Sequence, residues 1–155
     1  KSPFKYVNNP EETEQKYYKG FLYTNDLATW DEHQFVTIVG RKDDMIISSG
    51  ENIYPVEIEE VLNLNPKVKD CIVTSVPDKM RGQLVTAYVV KADESLTAEE
   101  LDEFCKESPE IANFKRPRYY RFVSSVPLNA TGKKLHAKIK AIAAEDLRNG
   151  LLYRV

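Results

Sequence analysis

The stretch GRKDDMIISSGENIYPVEIE, residues 40–59, decides the fold of this chain. Two short β-prone runs within it, residues 45–47 and 52–54, flank a Ser-Ser-Gly-Glu turn in which glycine can adopt a positive φ. Pro55 then favours the first turn of a helix, near whose start acidic residues such as Glu57 and Glu59 are stabilising. The stretch therefore predicts a small hairpin that leads directly into a helix.

Strand and helix patterns alternate after this stretch. Nearly unbroken apolar runs are typical of sheet strands that are covered on at least one face, and Thr97 with Glu100 forms a capping box at a helix start. The predicted strands cover residues 71–76, 84–90 and 119–126, and the predicted helices begin at Pro55, Thr97 and Leu135, the last ending near Leu147. The pattern predicts an α+β domain of roughly 100 residues, in which helices flank a small mixed sheet.

The residues before the stretch carry weaker signals. Residues 11–19 predict a short charged helix, and residues 21–24 and 35–39 predict two strands that form a hairpin or a pair. An isolated hairpin is only marginally stable in water. We therefore expect residues 1–40 to need a partner that this chain does not supply.

Composition bounds the class of protein. The 155 residues are 42% apolar and 30% charged, which is ordinary for a soluble globular protein and does not indicate disorder. There is no run of about 18 apolar residues and no apolar signal region, which predicts a cytoplasmic protein without a membrane span. Cys71 and Cys105 lie far apart in apolar surroundings, a pattern that favours buried free thiols over metal ligands or a disulfide.

Charge is distributed unevenly, although the net charge is only −2. Every charged residue in the segment 113–140 is Lys or Arg, which indicates either one anionic ligand or a solvated cationic face. Within this segment Phe114 lies close to Arg116 and Arg118. An aromatic ring beside cations suits an adenine or a phosphate group.

The segment PLNATGKK, residues 127–134, places Gly132 and Lys133 between a predicted strand and a predicted helix. A Walker phosphate loop would need glycine at the position of Pro127, so the segment is not such a loop. A lysine on a glycine-containing loop can still bring a compact positive charge to a phosphate or a carboxylate. The alternative is an ordinary helix start with a solvated lysine.

Four motifs, in this order, resemble the C-terminal part of acyl-CoA and aryl-CoA ligases of the adenylate-forming (AMP-binding) superfamily. They are YTNDL at 23–27, GRKDDMIISSGENIYPVEIEE at 40–60, FKRP at 114–117 and PLNATGK at 127–133. The resemblance implies a reaction in two halves, in which a carboxylate attacks the α-phosphate of ATP and the CoA thiol then displaces AMP from the acyl-adenylate. It covers nearly the whole chain but only the end of such an enzyme.

The resemblance also implies a role for each matching residue. Lys133 would be the lysine of the adenylation step, and Asp43 would be the hinge between two domains. The other residues would contact ligands: Asp26 and Arg41 the ATP ribose, Ser49, Gly50 and Asn52 the passage for the pantetheine arm of CoA, and Phe114, Arg116 and Arg118 the CoA nucleotide. The chain departs from the family at three positions, because Asn25, Gln34 and Ser49 stand where glycine is usual.

The same resemblance implies domain boundaries and partners. Residues 1–40 are expected to be the β-rich end of a large N-terminal domain, residues 41–44 a hinge, and residues 45–150 an α+β lid domain. The rest of the N-terminal domain, with its acyl pocket and the ligands of the Mg²⁺ bound with ATP, would be a partner outside this chain. The other expected partners are ATP, CoA and a small-molecule fatty or aromatic acid, and the chain alone is expected to be inactive.

Three other functions stay open at this point, and the first is a luciferase-like oxygenase of the same superfamily. A related adenylation domain could load a carrier protein, although the basic FKRPR run suits the phosphates of free CoA better. A non-catalytic nucleic-acid module could use Tyr119, Tyr120 and Phe122 on a strand, with the basic residues around them. The slight net acidity and the lack of an RNP pattern argue against nucleic acid as a partner.

Overall fold

The computed structural model describes residues 5–155 and divides the chain into two compact units, with the division between Asp43 and Asp44. The first four residues of the expected N-terminal remnant lie outside the described residues. The division falls within the segment 41–44 that the sequence assigns to a hinge, and that assignment stays a prediction.

The first unit consists of a short helix and two small antiparallel pairs of strands. Its elements are α1 (Pro10–Lys16), β1 (Tyr17–Tyr18), β2 (Phe21–Leu22), β3 (Asp26–Trp30) and β4 (Val36–Arg41). Asn9 caps α1, because its side-chain oxygen accepts a hydrogen bond from the backbone nitrogen of Glu12 at 3.1 Å.

The strand pairing in this unit differs from the predicted one. β2 pairs with β1, and β4 pairs with β3, a segment that the sequence assigns to the connection between strands. Asp26, Asp31 and Glu32 lie in or next to β3 and do not prevent this hairpin. Asp31 organises its turn instead, by accepting hydrogen bonds from the backbone nitrogens of His33 at 2.9 Å and Phe35 at 3.0 Å.

The hairpin of β3 and β4 leaves large apolar side chains in solvent. Trp30 is 83% exposed, Phe35 72% and Ile38 67%. No residue of the described segment 5–43 is buried. Such exposure is expected of a segment that packs against a partner, as predicted for residues 1–40.

The second unit is built on a four-stranded mixed sheet, which confirms the predicted α+β class. Its elements are β5 (Ile46–Ser48), β6 (Glu51–Ile53), α2 (Pro55–Asn63), β7 (Val68–Asp78), β8 (Gly82–Lys91), α3 (Ala98–Glu107), a 3-10 turn (Asn113–Lys115), β9 (Tyr119–Phe122), α4 (His136–Arg148) and β10 (Tyr153–Arg154). The strand order is β10-β9-β8-β7, in which β8 and β9 are parallel and the other neighbours antiparallel.

Apolar cores cover both faces of this sheet. Val73, on one face, belongs to the core formed with α2 and α3, whereas its neighbour Ile72 belongs to the core formed with Ile139 and Ala143 of α4. Successive residues of a strand point to opposite faces. Burial on both sides therefore explains why the strands read as unbroken apolar runs.

Local signals set most helix and turn positions in this unit. The predicted capping box of α3 is confirmed, since Thr97 Oγ1 accepts from the backbone nitrogen of Glu100 at 3.2 Å and Glu100 Oε2 accepts from that of Thr97 at 3.1 Å. The predicted hairpin of β5 and β6 is also confirmed. Ser49 has φ +53° and Gly50 φ +85° at its turn, and two positive φ values are what a type I′ turn requires.

Two strand predictions in this unit need correction. β9 ends at Phe122 rather than at Val126, and β10 is a strand for which no prediction was made. β10 is only two residues long and is ordered by pairing with β9, which is a non-local contact.

Candidate functional site

A tight loop, residues 127–134, presents the predicted adenylation lysine; we call it the lysine loop. Asn129 organises it, because its side-chain oxygen accepts hydrogen bonds from the backbone nitrogens of Thr131 at 3.0 Å and Lys133 at 2.8 Å. Gly132 takes φ +81°, a conformation that a Cβ atom would disfavour. The loop closes through an antiparallel bridge between Leu128 and Lys134. These contacts fix the backbone of the loop at Lys133.

Two consecutive lysines of this loop have opposite environments. Lys133 is exposed, and no carboxylate in residues 5–155 lies within ion-pair distance of its ammonium. Lys134 is half-buried and lies 3.3 Å from Glu59 Oε2 and 3.2 Å from Asp70 Oδ1. Burial is the largest single influence on Lys134 and opposes its charged form, but the nearby acidic groups, Glu59 foremost and Asp70 after it, together outweigh burial and raise the pKa of Lys134. Lys133 is therefore the member of the pair available to a ligand.

A buried carboxylate lies behind the lysine loop at the open edge of β7. Glu59 is 5% exposed, and its Oε1 accepts from the backbone nitrogen of Val73 at 2.8 Å and lies 2.7 Å from His136 Nε2. His136 Nδ1 lies 3.9 Å from Asp44 on its other side. Glu59 thus joins α2, the sheet edge, the lysine loop and the start of α4.

The predicted ribose and hinge residues come together at one end of the β3–β4 hairpin. Arg41 pairs with both acids, at 3.9 Å from Asp26 and 3.7 Å from Asp43. Asn25 donates a side-chain hydrogen bond to Asp43 at 3.0 Å. This hydrogen bond, with a smaller contribution from Arg41, lowers the pKa of Asp43. The group is a polar cluster in which one arginine lies within ion-pair distance of two carboxylates.

All three departures from the family's glycines take the conformation that glycine favours. Asn25 has φ +64°, Gln34 φ +66° and Ser49 φ +53°. Asn is among the non-glycine residues that adopt this region most readily. The backbone at these positions is therefore compatible with the family pattern even though the residue types differ.

A cleft of about 470 Å³ opens beside the Ser49 turn, and three arginines give it a positive character; we call it the arginine cleft. It is lined by Ser49, Asp78, Met80, Arg81, Leu84, Arg118, Arg154 and Val155. The Ser49 backbone nitrogen donates to the Arg81 carbonyl at 2.9 Å, which ties the turn to the β7–β8 connection. The cleft is therefore assembled from segments distant in sequence.

Arg118 is the most constrained of these arginines. Its backbone is fixed between two strands, since its nitrogen donates to the Val85 carbonyl at 2.8 Å and its carbonyl accepts from Val155 at 3.2 Å. Its Nε is buried and has no hydrogen-bond partner in the part of the chain that the structure describes. Burial, then the charges of Arg116 and Arg81, lower the pKa of Arg118. A buried donor among like charges favours binding of an anion.

The other predicted CoA contacts lie elsewhere. Arg116 is bound to α3, with its Nε 2.7 Å from Asp102 Oδ1, and only 11% of its side chain is exposed. Phe114 is 45% exposed on the 3-10 turn, and Asn52 is exposed on β6 opposite Ile47. Of the predicted CoA residues, the structure brings Ser49 and Arg118 together in the arginine cleft.

Residues 5–155 contain no group of three His, Cys, Asp or Glu side chains that could hold a metal ion. Within the same range no helix has the length and apolar character needed to cross a bilayer. A second cleft, of about 570 Å³, lies in the first unit around α1 and is lined by none of the candidate residues.

A segment that runs from α2 to Lys133 matches a known protein family. Residues 57–133 match the model of the AMP-binding enzyme C-terminal domain. This chain belongs to that family. The fold agrees, because the chain superposes on o-succinylbenzoate CoA synthetase from Bacillus subtilis, solved with the acyl-adenylate intermediate, with a TM-score of 0.79 and 36% identity over 86% of this chain and 27% of that one.

Curated relatives of this family member are CoA ligases for different acids. A 4-chlorobenzoate–CoA ligase of Arthrobacter is 43% identical over 83% of this chain, and a long-chain-fatty-acid–CoA ligase of Yersinia pestis is 41% identical over 87%. The chain spans about a quarter of the length of the curated relatives it matches, 24% in both cases. Similar identity to ligases for aromatic and fatty acids does not single out an acyl substrate.

Sequence reasoning missed several residues of these sites. Arg81 lies on the connection between two predicted strands, and Arg154 lies on β10, which was not predicted. Glu59 was interpreted as an acidic residue near a helix start, whereas it is buried by partners distant in sequence. For Arg81, the available signal was a positive residue on the short connection between β7 and β8.

Proposed function

We propose that this chain is the C-terminal part of an AMP-forming carboxylic acid–CoA ligase, in which it supplies a lysine to acyl-adenylate formation and an anion-binding cleft to thioester formation. The observation that carries the proposal is the arginine cleft. Ser49 and Arg118 were assigned separately to the pantetheine passage and the CoA nucleotide, and both line it. A cationic cleft beside a narrow turn suits a ligand with phosphates at one end and a slender arm at the other.

In the first half-reaction a carboxylate approaches the α-phosphate of ATP against like charge. Lys133 can lower that barrier, because its ammonium is exposed, lacks a carboxylate partner within residues 5–155, and is held on a tight loop. A preorganised charge of this kind contributes roughly 3 kcal/mol to a transition state. Lys133 therefore bridges the carboxylate and the phosphate as the oxygen–phosphorus bond forms and pyrophosphate leaves.

Asp26 and Arg41 complete the nucleotide side of the proposal. Their ion pair holds the carboxylate of Asp26 at the start of β3, in position to accept hydrogen bonds from ribose hydroxyls. Mg²⁺ would enter with ATP, and its ligands would come from the phosphates and from residues outside this chain.

In the second half-reaction the CoA thiol attacks the acyl carbon and AMP leaves. The phosphates of CoA bind Arg118, Arg81 and Arg154, and the pantetheine arm passes the Ser49-Gly50 turn toward the acyl group. The thiol has to reach the acyl carbon through space that Lys133 occupies in the first half-reaction, so we expect the lid to rotate between the halves. Backbone rotation at Asp43, in the segment where the two units divide, provides the exchange.

The experiment that tests this function is ATP–pyrophosphate exchange by the full-length protein across a panel of aromatic and fatty acids, followed by CoA addition. We expect exchange with one acid class and an acyl-CoA product. The absence of exchange with every acid, or release of the acyl group to an amine rather than to CoA, would contradict it. The acid that works also names the substrate.

Arg118→Ala is expected to raise the KM for CoA by roughly tenfold or more, since a charge-assisted hydrogen bond contributes about 1.5–3 kcal/mol. Pantetheine lacks the nucleotide, so its KM should stay unchanged. The matched control is Arg148→Ala, an exposed arginine near the end of α4. Steady-state kinetics with both thiols measure this, and equal KM increases for CoA and pantetheine would exclude a phosphate role for Arg118.

A nucleic-acid-binding function has less support. Tyr120 is fully buried and Phe122 packs against a core, so β9 does not offer the stacking platform that a nucleic-acid module needs.

For location we propose the cytoplasm, because Cys71 and Cys105 are free, buried thiols, which suit a reducing compartment. Burial raises the pKa of Cys71 to about 12 and that of Cys105 to about 11, so neither is a nucleophile at neutral pH.

A further inference from the structure

The lysine loop is fixed from behind by one buried carboxylate. Glu59 lies on α2, 5% exposed, and contacts the chain on the C-terminal side of Lys133 at two places. Its Oε2 lies 3.3 Å from the ammonium of Lys134, and its Oε1 lies 2.7 Å from His136 Nε2. The residue after Lys133 and the first residue of α4 are therefore both tied to the same side chain.

Glu59 is itself held rigidly. Its Oε1 also accepts a hydrogen bond at 2.8 Å from the backbone nitrogen of Val73 on β7, which is an edge strand of the sheet within residues 5–155. A buried side chain that is hydrogen-bonded to the edge of a strand has little freedom to move. Glu59 thus connects the lysine loop to the sheet, which fixes the position of the loop.

We infer that Glu59 is a positioning residue for the adenylation half-reaction, acting through Lys134 and His136 to fix the loop that carries Lys133. This role rests on the proposed function of Lys133. Glu59 touches no substrate, because it is buried and its oxygens are occupied by Val73, Lys134 and His136. It determines where the ammonium of Lys133 stands when the lid closes on ATP.

Glu59→Gln keeps the size and the acceptor oxygen of the side chain but removes the charge that holds Lys134. We expect acyl-adenylate formation by the full-length protein to fall about tenfold, since misplacement by about 1 Å can lower a rate by up to a hundredfold. Thioester formation from supplied acyl-adenylate should stay within about twofold, because that half uses the other face of the lid. A merely structural role would lower both half-reactions together.

A double-mutant cycle with Lys133→Ala gives the decisive test. If Glu59 acts through Lys133, Glu59→Gln lowers adenylate formation about tenfold in the native background and not further in the Lys133→Ala background. Additive losses would overturn the positioning role while leaving the proposed function intact. Undiminished adenylate formation in Lys133→Ala alone would overturn the proposed function, and the positioning role with it.

Lys134 supplies a second test if Glu59→Gln fails to fold. Lys134→Met removes one tie and should lower adenylate formation several-fold, whereas Lys134→Arg keeps the charge between Glu59 and Asp70 and should restore it. Equal activity of the Met and Arg variants would overturn the role assigned to the tie.

Discussion

Lys133→Ala in the full-length protein should lower acyl-adenylate formation by about a hundredfold to a thousandfold, the usual effect of removing one preorganised charge or donor from a transition state. The reason lies in the environment of the side chain. Lys133 is exposed and free of carboxylate partners within residues 5–155, so the chain does not neutralise its charge before ATP arrives. Thioester formation from supplied acyl-adenylate should be nearly unchanged, because Lys133 is not a contact in that half.

Lys138→Ala is the matched control for this result. Lys138 is exposed on the first turns of α4, close to the lysine loop, and carries the same charge. Single-turnover measurements of each half-reaction on both variants compare them directly. Equal loss of the two half-reactions in Lys133→Ala would contradict the division of labour, and a comparable loss in Lys138→Ala would point to general surface charge instead.

Asp43→Pro should impair thioester formation by roughly tenfold or more, which corresponds to a barrier higher by about 1.4 kcal/mol, while leaving adenylate formation near native. Proline fixes φ near −65° and restricts Lys42 before it, so the backbone rotation proposed at this position is blocked. The position lies directly before the division between the two units.

The side chain of Asp43 has contacts of its own, which calls for a control. Asp43→Ala removes the hydrogen bond from Asn25 and the ion pair with Arg41 but keeps the backbone free to rotate. We expect Asp43→Ala to retain most thioester formation. Similar defects in the Pro and Ala variants would assign the effect to the polar cluster and would contradict the hinge, as would native thioester kinetics in Asp43→Pro.

The sequence predicts this fold well where local patterns are strong. The Thr97 capping box, the apolar periodicity of α4 and the Ser49-Gly50 turn each depend on a few neighbouring residues, and the structure confirms all three. Strand pairing was predicted less well. The partner of β4 is a short segment bounded by Asp26 and Asp31, and β10 is only two residues long. Both strands therefore depend on pairing that local sequence patterns do not predict.

The candidate sites show the same limit. Motif resemblance named Ser49 and Arg118, but Arg81 and Arg154 join them only because the sheet brings separate segments to one cleft. Arg116 is the opposite case. A motif predicts it as a ligand contact, but its side chain is paired with Asp102 in the structure. Residue type and order predict candidate roles, and packing decides which of those side chains remain free for a ligand.

The most direct test of one domain with two working faces is to measure both half-reactions in two variants of the full-length protein. Lys133→Ala should lose acyl-adenylate formation and keep thioester formation, and Arg118→Ala should show the reverse, with its defect seen at limiting CoA. Such a crossed pattern requires two separate faces on the lid. Loss of both half-reactions to the same extent in each variant would contradict that conclusion.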